Sequence, residues 1–342
     1  MNSRLPVIAI TLGDPNGIGP EIIVQTLQNW EFPAIPLVVG DRKVLSQAEE
    51  VTKTSINWQK FTESISSPGP YLLDCSNVDL SSFRWGEISS QSGQSSFEYI
   101  QTAIQLALKE QVDAVVTAPI SKEALHLAAV PYIGHTEIFK ELTKSSVALT
   151  MFQLDQLRVF FLTRHLSLLE AVKEVKKEKV YKFLLEMNQY LNSIGLFSAK
   201  IAVAALNPHG GENGLLGQEE IKEINPAIEK SQKLGMNVMG IYPADSVFWF
   251  ARQGRFDAVL SLYHDQGHIA TKCMDFYGTV SITLGLPFIR TSPDHGTAFD
   301  IAGQGKANHR SMVESCRWAV EYAFAYQDFI KRTSGKKEID SD

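Results

Sequence analysis

Apolar and polar positions alternate in blocks along the chain. Short runs rich in aliphatic and β-branched residues occur at residues 7–12, 35–39, 113–117, 201–206, 258–263 and 280–284, and each is typical of a buried strand. Between them, residues 95–109, 219–233 and 312–329 carry apolar side chains at helical spacing. This alternation predicts an α/β fold with a largely parallel sheet.

The middle of the chain departs from this alternation. Residues 147–154 and 157–162 are two β-rich runs joined by Asp155 and Gln156, which predicts an antiparallel hairpin. We expect this hairpin to belong to a second subdomain.

Composition narrows the class of protein. The chain has 342 residues, of which 44% are hydrophobic and 20% charged, enough for a core in one large or two ordinary domains. The formal charge of −6 argues against nucleic acid or an anionic membrane as a partner. Three widely spaced cysteines argue against a disulfide framework or a thiolate zinc site. With no signal-like start and no long apolar span, we expect a cytoplasmic protein.

Three of the eight histidines directly follow strand-like runs: His165, His209 and His264. Ligands of open α/β sheets lie beyond the carboxyl ends of the strands, so these rings could converge. Three imidazoles with one open position are typical of a catalytic metal site, although each could instead be a hydrogen-bonded loop histidine. Asp245 and Asp265 are candidate partners that would orient the rings, and His268 is a further, lower-ranked ligand candidate.

Two glycine-containing turns are candidate anion sites. The segment 13–21, "GDPNGIGPE", places a turn before a predicted helix, but it lacks the Gly-x-Gly-x-x-Gly spacing of dinucleotide-binding folds. The segment 134–137, "GHTE", could cap a helix through His135 or Thr136 and present a phosphate-sized pocket. For both, a plain structural turn or cap is the competing interpretation.

Cations and small residues are concentrated towards the carboxyl end. Lys272 and Arg290 suit a substrate carboxylate or phosphate, with a surface ion pair as the alternative for either. The small residues of segment 294–308, "DHGTAFDIAGQGKAN", would let a flat ligand approach the backbone.

These segments together resemble a known family. "HGTAFDIAGQGKAN" resembles the nicotinamide-binding segment of isocitrate and isopropylmalate dehydrogenases. The ordered set "GDPNGIGPE", "GHTE", "LNPHGGENG", "YHDQG", "LGLPFIRTS" and "DHGTAFDIAG" is similar to the 4-hydroxythreonine-4-phosphate dehydrogenase family. That resemblance implies metal-dependent NAD oxidation and decarboxylation of 4-phosphohydroxy-L-threonine to 3-amino-2-oxopropyl phosphate in pyridoxal 5'-phosphate biosynthesis.

The resemblance also implies roles for particular residues. The metal ligands would be His165, His209 and His264, with His264 reaching the site from the other subunit of a homodimer. The substrate would contact His135, Thr136, Lys272 and Arg290. The nicotinamide cofactor would contact His295, Gly296, Thr297, Ala298 and Asn308. Lys272 is the expected proton-transfer group, assisted by Asp245 and Asp265. The metal would be zinc first, with magnesium, manganese or cobalt as alternatives.

The fold that the resemblance implies is a two-domain α/β/α sandwich of the isocitrate/isopropylmalate dehydrogenase kind, with the active site in the cleft between the domains. Residues 1–130 and 285–342 would form the larger α/β domain, which carries the nicotinamide-binding segment. Residues 131–284 would form a second α/β domain with the metal ligands and the dimer interface.

One departure from the family pattern concerns the substrate. Ser281 stands where the family usually has an asparagine that touches substrate, just before "ITLGLPFIR". A serine here resembles the related 4-phospho-D-threonate and 4-phospho-D-erythronate dehydrogenases, whose substrates carry a hydroxyl in place of the amine. A metal-dependent hydrolase and a non-catalytic phosphate sensor are the two alternatives from other functional classes.

Overall fold

Strands and helices alternate through most of the chain in a computed structural model that describes residues 4–62, 65 and 67–339. The strands are β1 (Val7–Thr11), β2 (Ile35–Gly40), β3 (Gln59–Lys60), β4 (Tyr71–Asp74), β5 (Ala114–Thr117), β6 (Leu149–Leu154), β7 (Leu157–Phe161), β8 (Ile201–Ala204), β9 (Val238–Tyr242), β10 (Ala258–Ser261), β11 (Val280–Leu284) and β12 (Ile289–Pro293). The α-helices are α1 (Gly19–Gln28), α2 (Arg42–Thr52), α3 (Ser90–Leu108), α4 (Lys122–Leu127), α5 (His135–Leu142), α6 (Leu168–Lys173), α7 (Lys177–Ser193), α8 (Asn225–Gln232), α9 (Ala244–Arg252), α10 (His264–Met274) and α11 (Arg310–Ile339). The predicted α/β class is confirmed.

The chain divides into two compact units. The first contains the chain up to Leu149 and resumes at Val280, and the second is Thr150–Thr279. The sequence-based bounds placed the first boundary at 130/131, before α5. In the structure α5 stays with the first unit because its Phe139 is fully buried and packs edge-on against Phe288, with ring centroids 6.1 Å apart.

The first unit is built on a mostly parallel sheet in the order β3-β4-β2-β1-β5-β12-β11. Every pairing in this order is parallel except that of β11 with β12. Every residue of the central strand β1 is buried, as expected for a strand covered on both faces. Helix α3 begins where the Ser89 hydroxyl accepts a hydrogen bond from the Ser92 amide, five residues before the predicted start.

The second unit has the strand order β6-β7-β10-β8-β9. β6 and β7 are antiparallel and joined by Asp155 and Gln156, which confirms the predicted hairpin. Its core contains buried aromatic and aliphatic side chains, among them Phe152, Phe161, Phe248 and Phe256.

Pairing in the second unit brings two predicted site segments together. β10 is parallel to β7 with Ser261 opposite Phe161, and it pairs on its other side with β8. The residues that follow β7 and β10 therefore leave the sheet at the same edge. His165 and His264 lie in those two segments.

Several elements differ from the predictions. Residues 219–233 do not form one α-helix. They form a short π-helix, Glu220–Ile224, followed by α8, because Pro226 allows a helix to begin there but not to run through it unbroken. The last helix extends to Ile339, and β12 and the short strands β3, β4 and β9 were not predicted. Within the described ranges, no helix combines the length and apolar character needed to cross a membrane.

Candidate active site

His165 and His264 lie close together at the edge of the second unit's sheet. Their ring centroids are 6.2 Å apart, and both rings line a cavity of about 330 Å³. Arg164, Tyr263 and Asp265 also line this cavity. The parallel pairing of β7 with β10 thus produces the proximity that the sequence suggested for these two histidines.

Neighbouring groups hold His264 in place. Its Nδ1 lies 2.6 Å from Oδ1 of Asp265, and its ring stacks on that of His268 with centroids 3.6 Å apart. His268 Nδ1 donates to the His264 carbonyl at 2.9 Å, since a carbonyl can only accept. Phe152 and Phe161 pack on the His268 ring, and burial lowers the pKa of His268 to about 4.

His209 lies in a tight turn, Pro208–Gly214, that follows β8. Its φ of +54° is in the left-handed region, a strained conformation that clusters at functional sites. Its ring is largely exposed, and its Nδ1 lies 3.0 Å from Oε1 of Glu212. The sequence analysis did not identify Glu212, because its candidates for orienting the histidine rings were Asp245 and Asp265.

The donor chemistry of His209 and His264 fits a divalent metal. In both, a carboxylate binds Nδ1, which leaves Nε2 for a metal in the arrangement common at zinc sites. However, no group of three or more His, Cys, Asp or Glu side chains in the described part of the chain is placed to hold a metal ion. Convergence of all three histidines, and the supply of His264 from a partner subunit, stay predictions.

The two other proposed catalytic side chains have different surroundings. Asp245 is exposed in the first turn of α9, and among the described residues it has no hydrogen-bonding partner. Lys272 follows His264 and His268 at four-residue steps along α10, which places all three on one helix face. Its Nζ lies 5.2 Å from the centroid of the Phe276 ring.

Arg290 is buried in the first unit, with 4% of its surface exposed. Its Nε donates to Thr117 Oγ1 at 3.0 Å, its Nη2 donates to the same oxygen, and its Nη1 donates to Thr283 Oγ1 at 3.3 Å. Within the described residues it forms no ion pair with a carboxylate, so the alternative of a surface ion pair is excluded there. Burial lowers the pKa of Arg290 to about 9. A buried cation without a counterion is a strong candidate to bind an anion.

His135 lies beside this arginine. It is the first residue of α5, whose N-cap is Gly134, so neither His135 nor Thr136 is the capping side chain. Among the described residues no group hydrogen-bonds its buried Nε2. Burial, and after it the charge of Arg290, hold the pKa of His135 well below its usual value, so the ring is neutral at pH 7. His135 and Arg290, which both contact Phe139, form what we call the candidate anion site.

The turn of residues 13–21 uses several of its amides within the protein. Asp14 N donates to Pro119 O, Gly17 N to Asp14 O, and Ile18 N to Thr297 O. These three amides are not available to an anion, which favours the plain structural interpretation of the turn over an anion site.

Glu21, at the end of that turn, fixes the segment expected to bind the cofactor. Its fully buried carboxylate accepts hydrogen bonds from Gly303 N at 2.6 Å and Gly305 N at 2.8 Å. A Cβ on Gly296 would meet no atom within 4 Å, so the backbone there is open to a flat ligand. Asn308 instead accepts from the amide of Arg310, where α11 begins. The roles of His295, Gly296, Thr297, Ala298 and Asn308 toward NAD stay predictions.

Asp14, in this turn, should make the free energy of unfolding of the protein depend on pH. Burial raises the pKa of its carboxyl to about 6, against hydrogen bonds from Asn16 and Ser92. The folded state therefore holds a proton that the unfolded chain has lost between about pH 4 and pH 6, and the free energy of unfolding falls as the pH rises through that range. Asp14→Asn cannot ionise, so relative to wild type it should gain roughly 3 kcal/mol of stability between pH 4 and pH 7.

Urea unfolding of both proteins at several pH values measures this difference directly. Stability curves that stay parallel from pH 4 to pH 7 would contradict the raised pKa of Asp14.

Comparisons with known proteins agree with this geometry. The family model described as pyridoxal phosphate biosynthetic protein PdxA matches residues 33–319. A protein of Symbiobacterium thermophilum, named as a candidate D-threonate 4-phosphate dehydrogenase, is 50% identical over 96% of this chain and 99% of its own length. A protein of Halalkalibacterium halodurans with the same name is 49% identical over 94% of this chain and 98% of its own.

A solved structure of a named dehydrogenase also matches this chain over most of its length. The crystal structure of 4-hydroxythreonine-4-phosphate dehydrogenase from Klebsiella pneumoniae has a TM-score of 0.85 and 39% identity, and the match covers 94% of this chain and 99% of that one. All three relatives are named dehydrogenases, which supports an oxidoreductase over the hydrolase and the sensor. This chain belongs to the family of the pyridoxal phosphate biosynthetic protein PdxA.

Proposed function

We propose that the protein is an NAD- and metal-dependent dehydrogenase that oxidises 4-phospho-D-threonate at C3 and releases CO2. The product would be dihydroxyacetone phosphate. The main supporting observation is the buried Arg290, which has no counterion among the described residues and suits a phosphorylated substrate. The sequence analysis put 4-phosphohydroxy-L-threonine first. The 50% identity to proteins named for D-threonate 4-phosphate, against 39% for the 4-hydroxythreonine-4-phosphate enzyme, favours the reverse order.

The phosphate is assigned to the candidate anion site. Thr117 and Thr283 use three of the five N–H groups of the Arg290 guanidinium, and the two that the described residues leave unused can bind phosphate oxygens. The neutral His135 can donate one further hydrogen bond, and Thr136 follows it at the start of α5, where the helix dipole favours an anion. A bound phosphate would offset the cost of burying the guanidinium.

Ser281 supports a hydroxyl-bearing substrate. It lies on β11 two residues before Thr283, so both side chains are on the same face of the sheet, and Thr283 contacts Arg290. Ser281 is therefore on the strand face that adjoins the candidate anion site. A short neutral hydroxyl suits a substrate hydroxyl at C2, whereas an amine there would be an ammonium ion without a carboxylate on this strand.

His165, His209 and His264 would hold the metal, which supplies Lewis-acid stabilisation of negative charge on the substrate oxygens. NAD would lie along segment 295–308 and would supply the acceptor for the hydride from C3. The chain's own contribution is orientation: Asp265 and Glu212 fix the ligand rings, and Glu21 fixes the cofactor segment.

Lys272 is the proposed acceptor of the C3 hydroxyl proton. It shares a face of α10 with His264 and His268, so its side chain lies on the helix face that carries the ligand candidate His264, and in its neutral amine form it can accept a proton. Loss of the proton to Lys272 and of the hydride to NAD leaves a ketone at C3. That ketone is β to the C1 carboxylate, so the C1–C2 bond can break with its electrons moving toward the ketone, and C2 then takes up a proton.

The remaining parts of the proposal rest on the resemblance. They are a homodimer with a shared active site, zinc as the metal, and the cytoplasm as the compartment. The second candidate substrate is 4-phosphohydroxy-L-threonine, because the matched crystal structure is named for it.

The experiment that tests the proposal is NADH formation by metal-loaded protein, followed at 340 nm. The substrates compared are 4-phospho-D-threonate, 4-phospho-D-erythronate and 4-phosphohydroxy-L-threonine. We expect kcat/KM for 4-phospho-D-threonate to exceed that for the amine-bearing substrate by about tenfold or more, since the active site would hydrogen-bond a hydroxyl at C2.

A preference for 4-phosphohydroxy-L-threonine would overturn the substrate assignment and make Ser281 a tolerated change. If none of the three substrates supports NADH formation, the whole proposal is overturned.

A further inference from the structure

Arg164 is a second arginine without a counterion, and it lies in the second unit. It follows β7 and precedes His165, and its side chain is partly buried. Its Nη1 donates to the Thr150 hydroxyl on β6. The described residues place no carboxylate within ion-pairing distance of this guanidinium.

Arg164 lines the cavity of about 330 Å³ whose lining also includes His165 and His264. That volume is at the lower end of small-molecule sites and suits a four-carbon acid. Asp265 also lines the cavity, but its Oδ1 is bound to His264 Nδ1 at 2.6 Å. Arg164 therefore adds a positive charge that has no ion-pairing carboxylate among the described residues.

The hydrogen bond to Thr150 leaves most of the arginine's donors available. A guanidinium has five N–H groups in a fixed fork, and one of them is used here. The bond to Thr150 fixes the fork with its remaining N–H groups free for a planar anion. Such a fork binds a carboxylate through two parallel hydrogen bonds.

We propose that Arg164 binds the C1 carboxylate of the substrate, beside the histidines that would hold the metal. The proposal rests on the proposed function, which supplies a substrate with two anionic groups. Arg290 and His135 are assigned to the phosphate, and the carboxylate is the anion that has no partner in that assignment. Arg164 would then help to set specificity for phosphorylated hydroxy acids over phosphorylated alcohols.

The test uses Arg164→Met, which keeps the length of the side chain but removes its charge, and Arg164→Lys, which keeps the charge but loses the fork. Arg252→Met is the matched control, since Arg252 is an exposed arginine of the same unit. Two probes distinguish binding of the carboxylate from binding of the phosphate. Unphosphorylated D-threonate is titrated calorimetrically into metal-loaded protein, and inorganic phosphate is measured as an inhibitor of NADH formation.

In Arg164→Met we expect KM for 4-phospho-D-threonate to rise about 10- to 100-fold, the effect of losing charge-assisted hydrogen bonds, with a smaller change in kcat. D-threonate binding should weaken by a similar factor, while inhibition by phosphate should stay as in wild type. Arg164→Lys should recover part of the loss, and Arg252→Met should match wild type.

Unchanged KM and D-threonate binding in Arg164→Met would overturn the proposal. So would loss of phosphate inhibition instead of D-threonate binding, because Arg164 would then serve the phosphate. If the wild type oxidises none of the phosphorylated acids, the proposed function fails. The Arg164 assignment is then decided by D-threonate binding alone.

Thermal unfolding separates a structural role from a binding role. Thr150→Val removes the hydroxyl that holds the guanidinium without removing its charge. A fall in melting temperature in Arg164→Met, together with no effect of D-threonate on that temperature in wild type, would mean that Arg164 stabilises the fold only.

Discussion

His264→Ala should lower kcat/KM for the phosphorylated substrate by about 1,000-fold, because a metal site contributes several kcal/mol of charge stabilisation in the transition state. The side chain is close to His165 and is held by Asp265 and by the stacked His268 ring. Its removal takes away one imidazole donor and also the ring that stacks on His268. We expect bound zinc per chain to fall in the same preparation.

His126→Ala is the matched control. His126 is exposed on α4, and no proposed role involves it. It should retain wild-type activity and metal content. If His264→Ala kept its full zinc content and turnover, His264 would not be a ligand, and the second unit's cavity would need another function.

Arg290→Met should separate stability from binding. The pKa of Arg290 falls from 12.5 to about 9 through burial, which corresponds to a cost on the order of 5 kcal/mol for keeping the charge inside the protein. Methionine removes that cost, although Thr117 and Thr283 lose a donor. We therefore expect the free energy of unfolding to stay the same or rise by about 1–3 kcal/mol.

The same change should abolish the anion site. KM for the phosphorylated substrate should rise at least about 100-fold, since two or more charge-assisted hydrogen bonds are lost. Inorganic phosphate should raise the melting temperature of the wild type but not that of Arg290→Met. Arg290→Lys keeps a charge without the fork and should lie between them. A strongly destabilised Arg290→Met protein that still responds to phosphate would show that Arg290 is structural.

The sequence predicted those parts of the fold whose burial is visible in local composition. β1, β2 and β10 are continuous apolar runs, and the hairpin of β6 and β7 is marked by two polar residues between apolar ones. β12 was missed because its middle residues, Arg290, Thr291 and Ser292, are polar although they are buried. Their partners come from distant segments of the chain, so no local sequence pattern predicts that these polar residues are buried.

The sequence likewise predicted only part of the candidate site. Histidines at strand ends can be read from the chain, and the pairing of β7 with β10 brings His165 and His264 together. Arg164 was not identified, because an arginine after a strand usually reaches solvent, and only the cavity and burial distinguish it. Asp245 was chosen by its type, whereas Glu212 lies beside His209 through a left-handed turn that spacing does not reveal.

The split of the first unit between the two ends of the chain has a consequence for synthesis on the ribosome. β5 pairs with β1 on one side and with β12 on the other, and β12 is made only after the whole second unit. Until then β5 has an open apolar edge, which is the kind of surface that promotes strand pairing between chains. The Glu21 carboxylate likewise accepts hydrogen bonds from Gly303 and Gly305, which are also made only after the second unit. The second unit can therefore fold first, and a chain that stops before β12 would be prone to aggregate.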